Sequence, residues 1–121
     1  MANPNIVNVA SIFGKTVGAA LTTSSADILT NSAASNKIFK VNTILISNVD
    51  GINNATADVL FYDASATTSY YLVDLVVVPA ASTLKVITKD SFIYLEEGDK
   101  ITALASANND LQMIISYEDI S

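Results

Sequence analysis

Apolar residues recur at every second position through most of this chain, and no window of helical length carries a convincing 3.6-residue stripe. Ala57, Val59 and Phe61 alternate with Asp58, Leu60 and Tyr62, and Ile101, Ala103 and Ala105 with Thr102, Leu104 and Ser106. Leu111, Met113, Ile115 and Tyr117 alternate with Gln112, Ile114, Ser116 and Glu118. Around Ile38 to Asn48 the same period divides Phe39, Val41, Thr43 and Leu45 from Lys40, Asn42, Ile44 and Ile46. Successive side chains of a strand point to opposite faces, so this period is a strand signature. Asn8 to Ala20 is the best helical candidate, and Gly14, Gly18 and its β-branched residues weaken it.

Clusters of Asn, Asp, Ser and Gly at 31–36, 50–54, 63–68, 96–99 and 108–110 separate the alternating segments, as turn chemistry requires. Pro79 sits where the most apolar segment must stop, because it cannot donate to a ladder. The spacing predicts eight or nine strands, near 16–22, 26–31, 37–48, 56–63, 69–78, 83–88, 91–95, 100–106 and 111–118. Many short strands about ten residues apart indicate an all-β fold, an antiparallel β-sandwich or barrel. With 121 residues, one domain is expected: a sandwich over 15–121 preceded by an extended N-terminal arm over 1–14.

Composition narrows the function by what it lacks. There is no Cys, His, Trp or Arg. That excludes disulfide frameworks, Cys/His zinc sites, thiolate nucleophiles and Ser-His-Asp triads. Six Lys against twelve acids give a net charge of −6, a poor basis for a nucleic-acid partner. The charge is uneven: residues 1–48 carry three Lys and one Asp, and residues 49–121 three Lys and eleven acids. The longest apolar run, 75–81, is far short of the roughly 20 residues of a membrane helix, so no membrane partner is expected. The opening Met-Ala-Asn-Pro-Asn-Ile-Val has no basic or apolar region of a secretion signal.

The segment 70–78 is apolar on both faces, with Asp74 its single charge. Ile44, Ile46, Leu60 and Ile114 likewise interrupt the polar faces of their strands. Exposed apolar strands aggregate unless covered, either by loops or the arm of the same chain or by a neighbouring subunit, and so many apolar second faces with so few charges favour the subunit. The expectation is therefore a homo-oligomer that buries a subunit face of Tyr70, Leu72, Val76, Val78 and Ile114, with arm residues Ile6, Val7, Val9, Ile12 and Phe13 filling pockets on a partner.

Three groups carry candidate chemistry. Glu96, Glu97 and Asp99 around Gly98 could act as paired carboxylates or hold calcium, but a tight hairpin with solvated acids is the simpler reading. Asp50, Asn53, Asn54 and Asp58 offer oxygen ligands, yet their spacing suits self-bonded Asx turns better than a calcium loop. Tyr62, Tyr70 and Tyr71 could stack on sugar rings or simply pack across strands. Phosphate-cradling glycine motifs are absent. No catalytic constellation and no cofactor site is expected, and the chain reads as a non-enzyme.

Two stretches carry a resemblance. One is 40–48, Lys-Val-Asn-Thr-Ile-Leu-Ile-Ser-Asn, followed by 57–63, Ala-Asp-Val-Leu-Phe-Tyr-Asp. The other runs from Pro79-Ala-Ala-Ser-Thr-Leu84 through Tyr94-Leu-Glu-Glu-Gly-Asp-Lys-Ile-Thr-Ala103 to Ile115-Ser-Tyr-Glu-Asp-Ile120. Together they resemble small virion structural proteins of tailed bacteriophages, especially phages of marine bacteria such as cyanobacteria. The resemblance implies a subunit located on the virion after assembly in the host cytoplasm. Its role would be to decorate or cement the capsid by oligomerising and binding the major capsid protein; the alternative is a neck, tail or fibre-tip module binding a receptor or glycan. The element Leu95-x-x-Gly98-Asp99-x-Ile101 also resembles a strand-turn-strand of jelly-roll domains, including tumour-necrosis-factor-like trimers, which implies a jelly-roll-like sandwich and a trimer.

Overall fold

A computed structural model describes residues 4–121; residues 1–3, which open the expected arm, lie outside the described residues. The described residues form nine strands: β1 (Ile12–Ala20), β2 (Ala26–Thr30), β3 (Ile38–Asn48), β4 (Ala55–Asp63), β5 (Thr68–Val78), β6 (Thr83–Ile87), β7 (Ile93–Leu95), β8 (Lys100–Ala105) and β9 (Leu111–Ile120). One 3₁₀ turn, Lys89–Ser91, separates β6 from β7. One sheet runs β1-β9-β3-β6 with β7 also on β3, and the other runs β2-β8-β4-β5. All the pairings are antiparallel. Because β6 and β7 share the same edge of β3, nine strands fill eight positions, in the order of a jelly roll.

The core lies between the sheets and uses the expected faces of β4, β8 and β9: Ala57 and Val59, Ile101 and Ala103, and Leu111, Met113 and Ile115. β3 departs from simple alternation. Val41 pairs with Tyr117 and Thr43 with Ser116, so Asn42 is an extra residue, a β-bulge. One extra residue exchanges the faces beyond it. Phe39 and Val41 point inward before the bulge, and Ile44 and Ile46 point inward after it, both fully buried. These isoleucines, expected on an outer face, therefore belong to the core.

The expected subunit face on β5 is also corrected, because its register with β4 turns that face toward the core. β5 carries two extra residues relative to β4, one between Val73 and Val76 and one between Tyr71 and Val73. Val78 lies opposite Ala55 and is fully buried, and Val76 lies opposite buried Ala57. Leu72 packs against the core. Val78, Val76 and Leu72 are thus inward-facing or core-contacting residues, while Tyr70, opposite Phe61 near the sheet's end, stays exposed. The arm boundary also moves. β1 begins at Ile12, so Ile12, Phe13 and Gly14 are strand, paired with Ile120, Asp119 and Glu118. No helix among the described residues is long and apolar enough to cross a membrane.

Candidate assembly surfaces

The bulges of β5 decide which residues reach solvent. Tyr71 lies opposite Leu60 and Val77 opposite Thr56, both on the outer face of the second sheet. Leu75 takes a left-handed conformation with φ of 51°, uncommon for a branched side chain, and its N–H donates to Asp58 Oδ1 at 2.5 Å. Asp58 is buried on this outer face and lies opposite Leu104 of β8. Tyr71, Leu75 and Val77 are 58%, 65% and 53% exposed. With half-buried Leu60 and Leu104 they make one apolar stretch of the sheet's outer surface, crossed by a carboxylate already occupied by a backbone donor. Periodicity alone missed Leu75 and Val77 because the segment is apolar on both faces and alternation does not say which of them turns to solvent.

The segment before β1 is held at its end. Val7 N–H donates to Asn5 Oδ1 and Asn8 N–H to Asn5 O, closing a turn. Ala10 and Ser11 then donate to Ser121 O, and Ser121 N–H returns a bond to Ser11 O. Ile6 and Val7 project into solvent and Val9 is half-buried. Ile12 and Phe13 are exposed on the edge strand, and Ile114 of β9 is exposed on the outer face of the first sheet. The structure therefore separates the expected surface residues onto different sheets and does not gather them into one face.

The acidic hairpin at 96–99 is structural. Glu97 and Asp99 are buried, against the expectation of solvated acids. Asn36 N–H donates to Glu97 Oε2, and Asp99 accepts from Ala64 N–H at Oδ1 and Glu96 N–H at Oδ2. Burial pushes the Asp99 carboxyl above its ordinary value, and these backbone donors only partly offset that. Buried Asn31 donates to Lys37 O and Leu95 O, tying the 31–37 loop to the same hairpin. At the opposite end buried Asn48 donates to Asn53 O and Val78 O. Asp50 Oδ1 accepts from Ile52 and Asn53 N–H, the Asx turn expected there, and the donors hold its carboxyl below the usual range. No group of three acidic side chains placed to hold a metal occurs among the described residues.

Lys40 lies over the Phe92 ring at 4.4 Å and Lys100 near the Tyr62 ring at 5.3 Å. Lys100 also pairs with Asp27 at 3.2 Å. These contacts fix surface side chains.

The fold and these surfaces define an all-β, jelly-roll-ordered sandwich with its polar clusters spent on loops. No family model and no curated protein matches the sequence. Among solved structures the chain is similar to one described in the words "Bacillus endospore appendages form a novel family of disulfide-linked pili". The TM-score is 0.55 at 14% identity, over 92% of this chain and 87% of that one. The likeness is one of fold. Disulfide linkage cannot carry over, since this sequence has no cysteine.

Proposed function

We propose that this chain is a non-enzymatic structural subunit that works by assembling with copies of itself. The observation that carries this reading is the outer face of the second sheet, where Tyr71, Leu75 and Val77 stand exposed beside Leu60 and Leu104 on a chain with no catalytic constellation. Such a patch is characteristic of a contact surface. The fold likeness to a pilus protein supports a self-assembling role, and the sequence resemblance supports its finer form, a subunit on a phage particle that cements or decorates the capsid. Exposed arm residues Ile6 and Val7 suit capture by a neighbouring shell subunit.

The test is the mass of the purified chain by light scattering behind a sizing column, followed by binding to phage shells lacking the chain. A closed oligomer or filament supports assembly, and shell binding supports the virion role. A second reading, glycan binding at a fibre tip, is favoured by Tyr70 and Tyr71, both exposed near the start of β5. It expects a monomer whose tyrosine fluorescence responds to sugars.

A further inference from the structure

We propose that two copies of this chain pair through the free edge of β1, antiparallel and in a register centred on Thr16, so that the two first sheets become one continuous sheet. The inference specifies one contact of the self-assembly proposed above and rests on that reading.

The four edges are unequal. β2 is short and bulged at Ile28, β5 carries two extra residues, and β6 carries one at Val86. β7 has only three residues. β1 alone runs nine residues in unbroken register with its neighbour, and no other strand among the described residues pairs with its second side. It contains no proline, and its single charge, Lys15, is bonded to Asp119. Bulges, charges and short length are the devices that prevent edge pairing, and β1 uses none of them effectively.

The sequence of β1 also fits itself. Centred on Thr16, an antiparallel copy places Ile12 opposite the second copy's Ala20, and Phe13 opposite its Ala19. Gly14 then meets the second copy's Gly18, and Lys15 its Val17. The large side chains at the start of the strand meet small ones at its end, glycines meet glycines, and no charge faces a like charge. Each residue meets one whose main-chain groups point the same way, so edge donors find edge acceptors throughout.

The surface beside β1 completes the fit. Gly18, Ala19, Ala20, Gln112, Met113 and Ile114 line a shallow depression, and a Cβ at Gly18 would meet only Met113 O, at 3.7 Å. Gly18 pairs with Ile114 and Ala20 with Gln112, on the outer face. Cross-strand partners share a face, so the second copy's Ile12 would cover this depression over Ala20, in the row of Gln112 and diagonal to Ile114. Ile12 is 55% exposed and would be covered there, and Ile114, 46% exposed, would border it.

The test uses the absence of native cysteine. Thr16→Cys places one thiol at the two-fold axis, at a Cα separation of about 4.5–5.5 Å, within disulfide range. Gly14→Cys places it opposite residue 18, with the two thiol positions about 13 Å apart along the strands. With both variants shown to melt like wild type, mild oxidation should give a covalent dimer with Thr16→Cys and little with Gly14→Cys. Thr16→Lys should weaken association by roughly fivefold through the opposed charges. Equal cross-linking of the two cysteine variants overturns the register. A wild-type oligomer in which neither cross-links leaves self-assembly standing and overturns the β1 contact. A wild type that stays monomeric to millimolar concentration, with no cross-linking, overturns both.

Discussion

Lys15 on the first strand donates to Asp119 Oδ2 on the last at 2.8 Å, and Lys37, just before β3, reaches the same oxygen at 3.2 Å. Three neighbouring segments of one sheet are therefore pinned at a single buried carboxylate, whose Oδ1 has no hydrogen-bond partner among the described residues. Burial pushes the Asp119 carboxyl up, but the two ammonium groups outweigh it and hold it below 3.8, while Lys15 is held above its ordinary value by the same bond.

The sign of the pH dependence follows. As pH falls below 3.8 the unfolded chain protonates Asp119 before the folded chain does, so the contribution present above that pH is lost as pH drops through the folded value. Asp99 acts oppositely: its raised folded value gives stability that declines as pH rises through the window above 3.8. Asp119→Asn should lower the melting temperature at pH 7 by about 3–5 °C and flatten the acid limb below pH 4. Thermal melts by circular dichroism from pH 2 to 7 read both effects; an unchanged acid limb would assign it to other carboxylates.

Gly98 has φ of 88°, and a Cβ there would sit 2.8 Å from Ala64 Cβ. Gly98→Ala should therefore cost about 2–3 kcal/mol, from the left-handed backbone and the overlap together. Adding Ala64→Gly should recover the steric share only. Urea unfolding of the two single variants and the double variant separates them, and full recovery would mean that the backbone carries no strain.

Asn31 and Asn48 hold opposite ends of the sandwich in the same manner, each donating from Nδ2 to two carbonyls across a loop. Replacing either with Ala leaves buried acceptors unmatched and should cost about 2–4 kcal/mol. Hydrogen exchange should localise the loss, to the 31–37 and 96–99 loops for Asn31→Ala and to 49–54 and 79–82 for Asn48→Ala. Loss of protection throughout would mean that these loops unfold only with the whole domain.

Strand existence was legible in the sequence because alternation and turn residues agree, and every expected strand lies within a few residues of an observed one. Faces were legible only where no bulge intervenes. Ala57, Val59, Ile101 and Met113 fall as read, whereas Asn42 exchanges the faces of β3, and on β5, apolar on both faces, alternation does not say which face turns to the core. Bulge positions depend on pairing between distant strands, which one strand's composition does not encode. Glu97 and Asp99 were misread as solvated because their donors, Asn36 and Ala64, come from loops far away in the chain.

Val76 and Val77 are neighbours in sequence with opposite assignments, and that makes them the sharpest test of the proposed contact surface. Val76 is half-buried and lies opposite buried Ala57, so Val76→Glu puts a charge on the inward side of an edge strand and should cost about 1–3 kcal/mol. Val77 faces solvent opposite Thr56, so Val77→Glu should change the melting temperature of the monomer little while weakening assembly. Light scattering against concentration, with circular dichroism on the same samples, reads both variants. If Val77→Glu assembles like wild type, the outer face of the second sheet is removed from the contact surface. If Val76→Glu is as stable as wild type, the register that sets Val76 opposite Ala57 is wrong.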